Sequence, residues 1–223
     1  VNVAVISIII GISLNLNKKN LTYLCIGALI HDIGKIFIPR EILQKPGKLT
    51  PEEFKIMKNH PRLGYDFLNK FYSLSSHVRL IVLQHHERFD GLGYPDSIKG
   101  NKISYLARIV SIADVYDALT SDRPYKRSLC PSDALEYIMS NAGTLFDYDI
   151  VNVFSRIIIP FPKGTIVCLS NGDIGIVEKT IPSYPLRPIV KIIKSKDNKK
   201  VGAKINLIDT LSIVISNIQY DIK

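Results

Sequence analysis

The most constraining feature of this sequence is a series of histidine and aspartate side chains spaced widely along apolar segments. In chain order the series contains His31, Asp32, His60, His85, His86 and Asp114. The steps from position 32 to 60, from 60 to 85 and from 86 to 114 are 28, 25 and 28 residues. Because each step is long enough for a helix and a turn, a helical fold would bring the whole series to one place.

The side chains in this series are typical metal ligands. Imidazole nitrogens and carboxylate oxygens suit first-row transition metals, whereas the absence of thiolates from the series argues against a structural zinc site. Six ligands are too many for one tetrahedral ion but suit two ions that share a carboxylate, and such pairs commonly catalyse phosphoryl hydrolysis. A single histidine on an apolar helix is more often a structural core residue, so the prediction depends on the series as a whole.

Local context strengthens the metal-site prediction, because the polar residues end or interrupt apolar helical segments. His31 and Asp32 close an apolar run and stand just before Gly34, a predicted helix terminus. Asp114 lies in the apolar segment 109–115, where an unpartnered carboxylate would cost considerable free energy. A shared metal would supply the partners that these groups need.

The apolar spacing is helical up to about residue 160. Thr50 and Pro51, followed by Glu53, predict a helix start with a capping box, and further helices are predicted over residues 103–119 and 131–139. We therefore predict a mainly α fold with a helical catalytic domain over residues 1–160.

After residue 160 the pattern changes to that of short strands. Segments 165–169 and 174–177, joined by Asn171-Gly172-Asp173, predict a hairpin. Further strands are predicted over residues 189–193, 203–208 and 211–215. These patterns predict a small, basic, antiparallel β unit over residues 161–223.

Five motifs occur in a fixed order along roughly the first 155 residues. They are His31-Asp32-Ile33-Gly34-Lys35, then residues 45–50, then residues 85–95 with Gly91-Leu92-Gly93-Tyr94-Pro95, then 113–120, then 123–126. Together they resemble the HD-GYP family, a branch of the HD superfamily of metal phosphohydrolases. The resemblance implies an HD-type helical bundle and a metal-dependent phosphodiesterase. Its expected reaction opens cyclic di-GMP to linear pGpG, and whether GMP follows is left open.

The resemblance also suggests roles for individual residues. Asp32 is the expected bridging ligand and a catalytic residue, and the other members of the series complete the two metal shells. Lys35 lies four residues after His31, on the same side if the helix persists, where it would reach a phosphate oxygen or the leaving group. Gly93 and Tyr94 form a loop suited to a phosphate or a guanine.

Arg123 and Lys126 resemble family positions that hold the phosphates of the substrate, a task that suits a guanidinium group. The family pattern also includes a histidine upstream, at or before Val1, so the resemblance leaves open whether the site holds two or three divalent transition-metal ions. Iron or manganese is favoured. We also expect a sensor or receiver domain upstream and consider a homodimer. His77 matches no motif and is interpreted as structural.

Charge and composition limit which other functions the sequence could support. The net charge is +9, with 19 basic and 15 acidic residues over 1–160 and 10 and 5 over 161–223. We interpret this excess as a solvated lysine-rich surface, and because no nucleic-acid motif accompanies it, neither DNA nor RNA is an expected partner. Three scattered cysteines indicate a reducing, cytoplasmic location. The apolar run 1–16, broken by Asn2, Ser7 and Asn15, predicts a buried amphipathic helix rather than a membrane span.

Two alternatives remain at this stage. One is a weakly active or inactive regulatory module that binds a cyclic dinucleotide, although such a module would have little need of six metal ligands. The other is a hydrolase of a different cyclic dinucleotide or nucleotide, because the sequence does not determine the base.

Overall fold

The computed structural model describes residues 1–121, 128–197 and 200–219, which form two compact units, Val1–Phe154 and Ser155–Lys223. The α-helices are α1 Asn2–Ser13, α2 Lys18–Ile30, α3 Arg40–Leu43, α4 Pro51–Met57, α5 His60–Phe71, α6 Ser76–Gln84, α7 Tyr105–Thr120, α8 Pro131–Ser140 and α9 Tyr148–Ile157. Short 3₁₀ helices span Ile33–Phe37 and Gly100–Lys102. The strands are β1 Ile166–Leu169, β2 Ile174–Lys179, β3 Ile189–Lys194, β4 Lys204–Asn206 and β5 Ile215–Gln219. This mainly helical architecture with a small antiparallel sheet confirms the predicted fold class.

Helix α7 forms the centre of the first unit. Its side chains at positions 106, 107, 109, 110, 112 and 113 are all buried, and the helix packs against α1, α2, α6 and α8. Because α7 is surrounded by other helices, Asp114 is carried into the interior of the bundle.

Helix α1 is present as predicted but is not amphipathic. Val3 and Ile10 are buried, whereas Val5, Ile9 and Ile12 are about half exposed although they are equally apolar. The predicted polar face is missing because Asn2 and Asn15 lie at or beyond the ends of the helix, and Ser7, within it, is buried. Among the described residues, the helices are all too short or too polar to cross a membrane.

Helix α4 is stabilised by polar contacts at its N-terminus rather than by buried side chains. The Thr50 hydroxyl accepts a hydrogen bond from the Glu53 backbone N–H at 3.3 Å, and the Glu53 carboxylate accepts one from the Thr50 N–H at 2.7 Å. The predicted capping box is therefore confirmed. Lys45 adds an ion pair of 2.6 Å to the same carboxylate. None of the seven residues of α4 is buried, so these polar contacts hold the helix in place.

The first 3₁₀ helix lies almost directly against α5. A Cβ added to Gly34 would lie 1.9 Å from the His60 carbonyl oxygen and 2.6 Å from the Gly64 backbone nitrogen. Only glycine permits this approach of two backbones. The contact fixes the segment that carries Asp32 against the helix that begins with His60.

The second unit is a five-stranded sheet with the order β4-β3-β2-β1-β5, antiparallel throughout. The predicted hairpin is confirmed, because β1 pairs with β2 through Val167 and Gly175. Alternate residues such as Val167, Val190 and Ile192 are buried against Leu207.

The strand predicted over residues 211–215 is wrong, because the last strand is β5, Ile215–Gln219. The backbone carbonyls of Leu207, Leu211 and Ile213 accept hydrogen bonds from the Arg187 guanidinium. A side chain therefore occupies the groups that a strand would use for pairing, and the alternating apolar pattern forms a turn.

We predict that Gly34→Ala lowers the free energy of unfolding by about 2 kcal/mol or more, because the new methyl group meets backbone that cannot move aside. Helical circular dichroism during urea unfolding measures the change. Gly11→Ala is the matched control, since the nearest atoms to its Cβ would be the ends of the Leu24, Leu21 and Leu16 side chains, at 2.8, 2.9 and 3.3 Å. Equal losses for the two variants would contradict the proposed backbone contact.

Candidate metal centre

The histidine and aspartate residues of the series lie where helices end or meet in the first unit. His31 follows the last residue of α2, and Asp32 precedes the first 3₁₀ helix. His60 is the first residue of α5, directly beyond the end of α4. His85 caps the C-terminus of α6, with His86 next along the chain. The sixth member, residue 114, lies within α7.

Three of these histidines share one local contact that orients their rings. The Nδ1 atoms of His31, His60 and His85 lie 2.8, 2.8 and 2.9 Å from the backbone carbonyls of Ala28, Met57 and Val82 respectively. Each carbonyl is three residues earlier, in the last turn of a helix, where intrahelical partners are missing. Since a carbonyl only accepts, Nδ1 carries a proton and donates it. The other ring nitrogen, Nε2, is therefore the one available to bind a metal.

Asp32 presents its two carboxylate oxygens to different groups. Oδ2 lies 2.6 Å from the Lys35 Nζ and 3.4 Å from the His31 Nε2. Oδ1 lies 3.2 Å from the His60 Nε2 and 3.8 Å from the His85 Nε2, and it is buried without a hydrogen bond among the described residues. One carboxylate thus faces two separate sets of nitrogen atoms.

The remaining members complete the cluster. Asp114 Oδ1 lies 3.6 Å from the His31 Nε2, on the Oδ2 side of Asp32. The His86 ring lies 4.1 Å from the His85 ring and 5.0 Å from the His60 ring, measured between centroids. Ligand atoms of Asp32, His60, His85 and His86 all lie within 4.8 Å of one another. The structure therefore brings all six predicted residues together.

The geometry of the cluster fits divalent metal ions. Two ligands about 2.1 Å from one ion lie about 3.0–3.5 Å apart in octahedral or tetrahedral geometry, close to the separations around Asp32. The buried Oδ1 faces Nε2 lone pairs of His60 and His85, an arrangement that is repulsive until a cation lies between the atoms. Nitrogen and oxygen donors without thiolate suit transition metals. The His/Asp cluster is thus compatible with divalent metal binding.

The pKa values of the side chains in the cluster shift in different directions. Burial alone would lower the pKa of His31, but the carboxylates of Asp114 and Asp32 raise it to about 10. Burial lowers the pKa of His85 and lowers that of His86 well below its usual value. Burial alone would raise the pKa values of Asp32 and Asp114, but the protonated His31 lowers both, and the charge of Lys35 lowers that of Asp32 further. At neutral pH the metal-free cluster therefore contains two ionised carboxylates and a protonated His31.

The glycine-rich loop after His86 lies beside this cluster. The Tyr94 ring stacks on the His86 ring, with centroids 4.7 Å apart and planes at 28°. A Cβ on Gly93 would lie 2.3 Å from the Arg88 backbone nitrogen, which makes glycine necessary there. Burial and the nearby carboxylates of Asp114 and Asp32 raise the pKa of Tyr94, so its phenol stays protonated and can donate a hydrogen bond.

Two further residues act on this loop and were not predicted from the sequence. Glu87 is 3% exposed, and its carboxylate accepts hydrogen bonds from the Asp96 and Ile98 backbone N–H groups at 2.7 and 3.2 Å. Lys58 places its ammonium 5.9 Å from the Tyr94 ring centroid. Glu87 directly follows the histidine pair, a signal that was available in the sequence. For Lys58 the sequence offers no comparable signal.

The structure locates most of the other predicted residues. Helix α2 ends at Ile30, so it does not persist as far as Lys35. Lys35 instead reaches Asp32 from the first 3₁₀ helix. The predicted substrate contacts Arg123 and Lys126 lie outside the described residues. His77 lies apart from the cluster and stacks on Tyr23 at 5.2 Å, consistent with a structural role.

The profile of the HD domain family matches residues 3–150. The chain belongs to the HD domain family. This membership confirms the resemblance drawn from the motifs. A profile described as a KOW domain associated with the HD domain matches residues 166–219, the part of the chain that contains the sheet.

Curated relatives and a solved structure agree with the HD domain assignment. The chain is 46% identical to a cyclic di-GMP phosphodiesterase response regulator of Xanthomonas campestris over 147 residues. This matched region covers 64% of this chain and 38% of the relative. The chain is 39% identical over 174 residues to a cyclic di-GMP phosphodiesterase of Pseudomonas aeruginosa, covering 78% and 42%. The chain therefore spans about two fifths of these relatives. A structure of an HDG"Y"P protein from Bdellovibrio bacteriovorus shares the fold, with a TM-score of 0.58 at 24% identity, covering 69% and 49%.

We predict that metal affinity rises with pH. Because the His31 pKa is about 10 in the metal-free HD domain, whereas the ordinary value is 6.5, metal must displace one proton at neutral pH. The apparent dissociation constant for Mn(II) should fall about tenfold per pH unit between about pH 6.5 and pH 8.5. Titration calorimetry in buffers of different ionisation enthalpy measures both affinity and proton release. A constant affinity with no proton release would contradict the assigned charge state.

Proposed function

We propose that this protein is a metal-dependent phosphodiesterase that hydrolyses cyclic di-GMP to linear pGpG. The observation that carries the proposal is the position of Asp32, whose two oxygens face two sets of nitrogen ligands in a buried cluster. The relatives whose names include this activity support the choice of substrate. Since the chain spans only part of those relatives, activity and substrate are proposals for this protein.

The proposed ligand assignment follows from the contacts. His31 and Asp114 lie on the Oδ2 side of Asp32, and His60 and His85 lie on the Oδ1 side, with His86 beside them. Asp32 would be the ligand shared by two divalent transition metals, iron or manganese, and a third ion would need further ligands. When bound, the metals neutralise the phosphodiester charge and activate water for attack on phosphorus. The last-turn carbonyls keep the three Nε2 atoms aimed at this point.

Substrate contacts are assigned to residues around the cluster. Lys35, 40% exposed at its side chain, carries its positive charge 2.6 Å from Asp32, and we propose that it contacts the phosphate or protonates the departing oxygen. Tyr94 donates its phenol proton or stacks on a base, and Gly93 allows the tight turn that presents it. Arg123 and Lys126 are proposed phosphate contacts on the basis of the family pattern alone.

Several broader features are also proposals. We propose that residues 1–160 form the catalytic domain and residues 161–223 a β subdomain. A cytoplasmic location, a sensor or receiver domain elsewhere in the full protein, and a homodimer are consistent with the family but rest on no contact described above. Neither DNA nor RNA is assigned as a partner.

Two other functions are compatible with the cluster and are separated by simple measurements. A regulatory module would bind cyclic di-GMP at full metal occupancy without turnover. A hydrolase of another cyclic dinucleotide or nucleotide would prefer a different member of a substrate panel. Elemental analysis of anaerobically prepared protein would establish metal identity and stoichiometry for all three functions.

We predict that the purified protein with Mn(II) or Fe(II) converts cyclic di-GMP to pGpG, and that His31→Ala and Asp32→Ala each lower kcat by at least about 100-fold because metal is lost. Product chromatography and elemental analysis provide the two readouts. His77→Ala is the matched control, a histidine outside the cluster, and should keep parental activity and metal content. Parental turnover in the Asp32→Ala variant would refute the proposed mechanism.

The role of Lys35 in the chemical step can be tested without removing a metal ligand. We predict that Lys35→Gln lowers kcat at least about tenfold, since one positive charge is lost near the developing negative charge, while metal content stays near the parental value. Lys70→Gln, at the far end of α5, removes a lysine away from the cluster and should change neither quantity. Unchanged kcat for Lys35→Gln would remove this lysine from the mechanism.

A further inference from the structure

Helix α4 exposes an aromatic side chain instead of burying it. Phe54 is 46% exposed and Ile56 is 40% exposed, and no residue of α4 is buried. The capping box and the Lys45 ion pair hold the helix without help from these side chains. Phe54 therefore contributes little to the core, and its position needs another explanation.

Lys58 connects this helix to the cluster. Its ammonium lies 4.9 Å from the Phe54 ring centroid and 5.9 Å from the Tyr94 ring centroid. Tyr94 in turn stacks on His86 at 4.7 Å. Phe54, Lys58 and Tyr94 thus form a continuous strip that runs outward from the histidines, called the aromatic strip below.

The charge of the strip is available to a ligand. Within the parts of the chain that the structure describes, Lys58 forms no ion pair, and its two neighbours are ring faces. An ammonium between two aromatic rings offers attraction to a phosphate, while the rings offer faces on which a base can stack. An anionic ligand with a planar base satisfies both groups at once, whereas a simple apolar ligand would leave the ammonium unused.

We propose that the aromatic strip is a subsite for one nucleoside phosphate half of the substrate, with a purine base on Phe54 and a phosphate oxygen on Lys58. The inference rests on the proposed function, because a cyclic dinucleotide held at the metals by one phosphate must place its second half outside the cluster. Tyr94 belongs to both regions and joins them. Phe54 and Lys58 would then affect substrate affinity and base preference and leave metal binding unchanged.

The test compares substitutions in the strip with the same substitutions elsewhere. Phe54→Leu removes the aromatic face but keeps apolar volume, Phe54→Tyr keeps the face, and Lys58→Gln removes the charge. Phe71 and Lys70 provide the matched pair, since Lys70 lies 5.1 Å from the centroid of the Phe71 ring, which is 61% exposed. That pair lies at the end of α5 opposite to His60.

We predict that Phe54→Leu and Lys58→Gln each raise KM for cyclic di-GMP about tenfold with kcat within about twofold of the parent. Phe54→Tyr should keep the parental KM. Phe71→Leu and Lys70→Gln should match the parent. Hydrolysis of bis(p-nitrophenyl) phosphate, a small diester without a purine base, should be unaffected by either strip variant. Circular dichroism and metal content establish that each variant is folded and loaded.

The outcomes separate the two proposals. If the parent hydrolyses cyclic di-GMP but Phe54→Leu keeps parental KM, or Phe71→Leu raises KM equally, the subsite is refuted and the function stands. If the parent shows no turnover, the proposed function fails. Binding of fluorescent cyclic di-GMP to the metal-loaded proteins then decides the subsite. Tight binding that the strip variants weaken supports it, and equal or absent binding overturns it.

Discussion

The hydrogen bonds from histidine Nδ1 atoms to carbonyls in the last turns of helices determine most of what this molecule can do. His31, His60 and His85 each use the carbonyl three residues earlier, and each carbonyl would otherwise lack a partner. One interaction therefore satisfies the helix end, selects the tautomer and directs Nε2 into the cluster. Because the helix itself supplies the orienting group, no additional carboxylate is needed behind these rings.

Backbone packing sets the distances between these oriented rings. The approach of Gly34 to the His60 carbonyl brings the segment carrying Asp32 to the start of α5. Helix α7 supplies Asp114, whose Oδ1 lies 3.6 Å from the His31 Nε2. The carboxylates are then close enough to raise the pKa of His31, so proton binding and metal binding compete at the same atoms. Folding, metal affinity and pH dependence are linked through these few contacts.

The cluster could be predicted from the sequence because histidine and aspartate side chains that end or interrupt apolar helices need polar partners or a metal ion. Asp114 could be singled out since a carboxylate in such a segment requires a partner, and Thr50 and Glu53 revealed a helix start through local chemistry. Contacts that depend on tertiary arrangement were not predictable. The place of Lys58 over Tyr94 depends on how separate elements meet, and sequence spacing does not encode that distance.

The incorrect strand prediction at residues 211–215 also arose because the sequence pattern does not encode tertiary contacts. An alternating apolar pattern at residues 211–215 predicts a strand, but pairing requires free backbone groups, and Arg187 occupies several of the nearby carbonyls. The pairing of β1 with Ile215–Gln219 instead determines where the last strand lies. Periodicity identifies segments that are able to form strands, whereas competition for backbone groups decides which of them do.

The way α4 is attached has a consequence for adaptability. A helix held only at its ends, with no side chain in the interior, can open locally at a small fraction of the free energy of global unfolding. Its outward residues can also be replaced without creating a cavity. Such a helix would let ligand preference diverge among related proteins while the histidine and aspartate cluster remains constant.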